Sequence, residues 1–181
     1  MLFSGPNGQV KMDPRNSQLD GTCLVLEYLA QFDTSKTDRL EIIGGDPPSS
    51  GPPYQALLPM KDLRTLALYL CANPHVSTHA LDPSTNASGD MVCPKLEKLV
   101  IDHRELLEIK DVIGMAAARE LRGAKLKFVK IISWDGFVYA QPDVLKLKKH
   151  VLHVLPMPGE SPHRYAASFP TSDVMLHTLQ I

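Results

Sequence analysis

His75 and His79 stand four residues apart, the spacing at which a helix places two imidazoles on one face, where they could share a metal ion. Zinc chemistry needs more than a pair. A Glu in an HExxH arrangement would supply the base, or nearby cysteines would complete four ligands, and neither accompanies these histidines. Pro74 opens the segment, so a short helix with a surface pair of histidines is expected. Asp102-His103-Arg104-Glu105 is a dense polar cluster just after a predicted strand, where loops often carry sites. A solvated, charged loop accounts for it more plainly. His103 would act as a base only beside a nucleophile, and no serine stands in a GxSxG elbow. Neither GxGxxG nor GxxxxGK[ST] occurs. Gly44-Gly45-Asp46 is followed by Pro47-Pro48, which prevents the helix N-terminus that would receive a phosphate. No catalytic residue, cofactor site or metal site is therefore expected. The alternative is a small intracellular α/β enzyme, a hydrolase or transferase, using His103 or His75.

The elements that would position these residues follow a recurring pattern. Leu63-Arg64-Thr65-Leu66-Ala67-Leu68-Tyr69-Leu70-Cys71 matches the leucine-rich-repeat form LxxLxLxxC at every fixed position. Cys71 then reads as a small buried side chain closing a turn, not as a nucleophile. Leu96 to Ile101 gives LxxLxI, Leu126 to Ile131 gives LxxVxI, and Leu40-Glu41-Ile42 supplies the final LxI. The second apolar positions, 40, 66, 99 and 129, are separated by 26, 33 and 30 residues. Such repeats usually run about 20 to 29 residues. Ile109, Val112, Ile113, Ala116, Ala117 and Leu121 recur at helical spacing, and Gly123 is a natural stop. Lys110, Asp111, Arg119, Glu120 and Arg122 are expected on the surface of that helix, with Arg119 and Arg122 favourable to its dipole. Further helices are expected near residues 22–32, 75–81 and 143–150, and a last strand over 151–155. Residues 44–53 and 82–90 read as loops, rich in Gly, Pro, Ser and Asp.

One such unit cannot bury its own apolar face, whereas stacked units bury Leu40, Ile42, Leu66, Leu68, Leu99, Ile101, Val129 and Ile131 together. The expected fold is α/β: a leucine-rich-repeat-like solenoid, a partial horseshoe of about five irregular repeats over residues 1–155. Parallel strands would line its concave side and helices its convex side. An ordinary α/β sheet with right-handed crossovers is the competing architecture. Residues 156–181 carry Pro156, Pro158, Pro162 and Pro170 and are expected to form a weakly ordered tail.

Composition narrows the partners. The 181 residues hold 19 Lys+Arg against 20 Asp+Glu, a formal net charge of -1, so no global basic excess recruits nucleic acid or an anionic membrane. Hydrophobic residues make up 44%, enough for a sizeable core and against wholesale disorder. Between Arg119 and Lys149 eight basic residues face three acidic ones. A solvated helical face is the expected reading of this local basic excess, ahead of binding to nucleic acid or an acidic peptide. No apolar run approaches the roughly 20 residues of a membrane span. The first eight residues lack a basic stretch ahead of an apolar run, so no secretory leader is expected. Three widely spaced cysteines, Cys23, Cys71 and Cys93, fit a reducing compartment, cytoplasmic or nuclear. The sequon Asn86-Ala87-Ser88 would then stay unused.

Longer segments carry a resemblance. Met60 to Leu68, His79-Ala80-Leu81-Asp82-Pro83, Val92-Cys93-Pro94-Lys95-Leu96-Glu97-Lys98-Leu99-Val100, Ile113 to Arg119 and Arg122-Gly123-Ala124-Lys125-Leu126 resemble the leucine-rich-repeat regions of mushroom-type fungal F-box proteins. The resemblance covers most of residues 20 to 155. It implies a substrate-selecting role within a ubiquitin ligase, in which an F-box docks the adaptor and the repeats choose the substrate. Residues 1 to 40 contain no Leu-Pro pair of the kind that opens an F-box, so adaptor binding is implied only through an F-box upstream in a longer form.

The expected function is a non-catalytic protein-interaction module. Strand alternation puts Arg39, Glu41 and Ile43, then Thr65, Ala67 and Tyr69, then Lys98, Val100 and Asp102, then Phe128, Lys130 and Ile132 on the concave face. Tyr69, Phe128 and Ile132 are the expected apolar anchors for a protein partner.

Overall fold

A computed structural model describes residues 2–5, 8–11, 33–43, 57–71, 74–86, 89–103, 107–133 and 139–158. The helix expected over 22–32, the loop at 44–53 and the chain beyond 158 lie outside these residues. So do Cys23 and the side chains of Cys71, His75 and His103.

Strands form where β-branched and leucine residues alternate. They are β1 (Leu2–Gly5), β2 (Gly8–Lys11), β3 (Arg39–Ile43), β4 (Thr65–Cys71), β5 (Lys98–His103), β6 (Phe128–Ser133) and β7 (His153–Pro158). They make one seven-stranded sheet in the order β2-β1-β3-β4-β5-β6-β7. From β3 to β7 every pairing is parallel and joins strands consecutive in the chain. Helices α1 (Pro74–Leu81), α2 (Ile109–Leu121) and α3 (Gln141–His150) fall between successive strands of this set. The chain is thus a mixed α/β protein built on a five-stranded parallel sheet.

Three features differ from the sequence expectation. The antiparallel hairpin β1–β2 adds to the β3 edge, a pairing that four-residue strands do not announce. The last strand begins at His153 and runs to Pro158, past the expected boundary at 155. Proline is tolerated there because β7 is the edge strand among the described ones, paired on its β6 side. Arg119, expected on the surface, is fully buried. Its long side chain turns inward to backbone carbonyls, described below.

The main core lies between the sheet and the helices. One alternate set of strand residues faces inward: Leu40, Leu66, Leu68, Leu99, Ile101, Val129, Ile131 and Val154. Leu81 of α1, Val112, Met115 and Ala116 of α2, and Val144 and Leu147 of α3 meet them. Helix α2 stops as its sequence suggests. Gly123 has φ +76, its N–H bonds the Glu120 carbonyl at 2.9 Å, and the Ala124 N–H reaches the Arg119 carbonyl at 2.9 Å. This pair of bonds is a Schellman cap, which needs the left-handed residue that glycine supplies without strain.

The turns entering β4, β5 and β6 repeat one arrangement, and β7 keeps one bond of it. The Asp38 carbonyl accepts from the N–H groups of Arg64 and Thr65 at 2.8 and 3.0 Å. The Arg64 carbonyl accepts from Glu97 and Lys98, both at 2.9 Å, and the Glu97 carbonyl from Lys127 and Phe128 at 2.8 and 3.0 Å. The Lys127 carbonyl accepts from His153 at 3.0 Å. Equivalent residues therefore stack at the same steps of 26, 33 and 30 that separate the apolar positions.

Candidate protein-binding face

The other alternate set of strand residues projects from the face opposite the helices, and parallel register sorts it into rows. Arg39, Thr65, Lys98, Phe128 and His153 form one row; Glu41, Ala67, Val100, Lys130 and Leu155 form the next. In the third row Ile43 pairs with Tyr69, and Asp102 with Ile132 and Met157. Neighbours within a row are about 4.8 Å apart, so the first two rows are continuous strips, while the third is interrupted where the β4–β5 register shifts between Leu68 and Cys71. The twelve residues expected on this face, from Arg39 to Ile132, fall in these three rows by register.

They are not equally reachable. Ala67, Val100, Asp102 and Ile132 are buried, and the three apolar ones form a second cluster, against which Tyr69 and Phe128 pack. Ile132, expected as an exposed anchor, is 3% exposed and so already satisfied within the chain. A partner would meet the remaining members: exposed Arg39 and Lys98, with half-buried Glu41, Thr65, Tyr69, Phe128 and Lys130 around the apolar strip. Arg39 donates through Nε to the Glu41 carboxylate at 2.8 Å, neutralising one end of the face. The Lys98 ammonium lies 5.1 Å from the Phe128 ring centroid, a cation–π contact that the register makes inevitable by placing the two side by side.

A ladder of charge borders this face where the strands begin. Asp38, Arg64, Glu97 and Lys127 occupy the stacked turn positions and alternate in sign. The Glu97 carboxylate accepts from Lys127 Nζ at 2.8 Å and from Arg64 Nη1 at 3.3 Å. The Lys127 hydrogen bond first, with the charges of Lys127 and Arg64, holds the Glu97 carboxyl below the usual range. One unit earlier, Lys95 Nζ donates to Asp62 at 2.5 Å, and that bond lowers the Asp62 carboxyl likewise. Sequence reasoning passed over these positions. The signal that could have found them is the alternation of sign at the repeat step.

Beneath the helices, Arg119 organises a buried turn. Its Nη1 donates to the Val92 carbonyl at 2.9 Å and the Leu81 carbonyl at 3.4 Å, and Nη2 to the Cys93 carbonyl at 2.7 Å. Cys93 has φ 47, a left-handed conformation uncommon outside glycine, and its Sγ reaches the Leu57 carbonyl at 3.5 Å. Burial pushes the Cys93 thiol up to about 12, which leaves it protonated and unreactive at neutral pH. Burial also lowers the Arg119 pKa. The group is structural.

Of the residues weighed for catalysis, His75 and His103 are described by their backbone alone. His75 lies in α1 and His103 ends β5, in separate elements, and His79 is exposed. Among the described residues no three His, Cys, Asp or Glu side chains converge as metal ligands. No described helix is long and apolar enough to cross a membrane. No protein-family model matches the chain, and no curated protein or solved structure is significantly similar to it.

Proposed function

We propose that this chain is a non-catalytic protein-interaction module of the leucine-rich-repeat kind. In this reading β3 to β7 are successive units of a solenoid, a partial horseshoe with the strand rows on its concave side. One observation carries the reading. Each parallel strand neighbours its predecessor in sequence, and β4, β5 and β6 are each entered through the same hydrogen-bonded turn, at steps of 26, 33 and 30 residues. The exposed edge of the strip, with Arg39, Thr65, Tyr69, Lys98, Phe128 and Lys130, offers the aromatic and basic anchors that dominate protein interfaces. The resemblance to fungal F-box proteins extends the proposal: the module selects a protein substrate for a ubiquitin ligase, in the cytoplasm or nucleus. The adaptor is then bound by an F-box upstream in a longer form.

A pull-down from fungal cells, read by mass spectrometry, tests this. Recovery of ubiquitin-ligase adaptor and cullin supports the receptor role; recovery of other proteins without them supports a binding module outside the ligase. The double substitution Tyr69→Ala, Phe128→Ala separates the face from the rest of the molecule. It is expected to reduce capture at least about tenfold while the fold persists. Capture of the same partners at the same level would show that this face is not the one used.

A further inference from the structure

The outer edge of β7 has a chemical peculiarity that the register makes explicit. The His153 N–H donates to the Lys127 carbonyl at 3.0 Å, so His153 turns its polar backbone groups toward β6. Alternation along the strand directs residues 155 and 157 the same way and residues 154, 156 and 158 outward. Two of those three outward positions are Pro156 and Pro158, which have no N–H to offer. The inward positions, which the ladder needs, carry none.

We propose that Pro156 and Pro158 close this edge of the sheet against strand addition by a second copy of this chain. The need is visible in the same segment. Leu152 is 61% exposed and Leu155 46% exposed, so β7 and its entry turn present apolar surface beside a ladder edge that no other described strand pairs. An edge of that kind templates pairing unless donors are removed or charges inserted. With the donors missing at alternate positions, an incoming strand finds carbonyls without their N–H counterparts and cannot complete a register.

The test restores the donors. Pro156→Val, Pro158→Val in the full chain is compared with wild type and with the control Met157→Val, which adds β propensity at an inward N–H already used by the ladder. Sedimentation equilibrium over a concentration series is expected to show self-association about tenfold tighter in the double variant, from the hydrogen bonds regained. The control is expected to behave as wild type. Hydrogen exchange supplies the second reading: at low concentration the new amides at 156 and 158 exchange freely, and they gain protection as the variant associates. Unchanged association in the double variant would overturn the proposal. So would equal association in the control, or amides at 156 and 158 already protected at low concentration. Loss of the fold would also overturn it, because outward edge positions should tolerate valine.

Discussion

A guanidinium that is fully buried and faces three carbonyls acts as a cross-link. Arg119 ties the end of α1 at Leu81 to the turn at Val92 and Cys93, and so joins two segments that share no ladder. Replacing it with Met keeps the volume and leaves those buried carbonyls without their donor. Arg119→Met is expected to lower stability by about 3 kcal/mol, measured by urea unfolding, since each buried acceptor left unsatisfied costs roughly 1 to 3 kcal/mol. Lys in its place carries one ammonium in place of the planar fork and should recover only part of the loss. Cys93 gives a pH signature at the same spot. Its ordinary pKa is 9.0 and burial raises it to about 12. The unfolded chain therefore releases this proton first, and the stability contributed by the neutral thiol is complete below pH 9 and lost as pH rises toward 12. Unfolding midpoints should fall across that window in wild type and fall less in Cys93→Ala. Equal slopes in the two proteins would remove the argument.

At the scale of elements, helix ends and strand entries are joined by carboxylates. Glu120 near the end of α2 accepts from Lys125 Nζ at 2.6 Å and meets His150 Nδ1 of α3 at 2.8 Å. These two hydrogen bonds, Lys125 first, hold its carboxyl below the usual 4.5. Glu97 is held down in the same sense at the strand-entry ladder. A lowered carboxyl contributes stability that is present above pH 4.5 and lost as pH falls through the folded value. Glu97→Gln and Glu120→Gln should thus each narrow the stability gap between pH 7 and pH 3, and the double variant should narrow it further. A gap as wide as in wild type would show that these pairs do not couple to folding. The main elements themselves were legible, because α2 and the four LxI-type strands each place leucine, isoleucine or valine at the period of their structure. Gly123 was legible as a stop because only a residue at ease with positive φ suits a Schellman cap. Arg119 was not, since it sits at the last turn of an amphipathic helix, where a basic residue ordinarily faces solvent and the dipole. The rows of the candidate face followed from alternation alone. Burial of Ala67, Val100, Asp102 and Ile132 did not, because alternation assigns a face and cannot say whether that face meets water.

At the scale of the whole molecule, protection should be graded across the sheet from its middle outward. Strand β5 has parallel neighbours on both sides, through the registers with β4 and β6. It is also covered on both faces: Leu99 and Ile101 are buried beneath the helices, while Val100 and Asp102 are buried on the opposite face. Its amides can be exposed only by an opening that breaks two ladders and two packed layers, which approaches global unfolding. Among the described strands β7 is paired on one side alone, and the hairpin β1–β2 joins the sheet through three registered residues of β1. Those strands can separate while the central ladders stay intact. Hydrogen exchange read by mass spectrometry is therefore expected to be slowest in peptides covering 98–103, intermediate over 65–71 and 128–133, and fastest over 2–11 and 153–158. The same gradient orders the effect of core truncations. Leu99→Ala should cost about 3 to 4 kcal/mol, near the upper part of the range for buried leucines, because neither neighbouring strand can move in to fill the cavity. A hairpin at 2–11 as protected as β5 would mean that the sheet opens as one unit, and a single cooperative block would have to replace the stepwise picture.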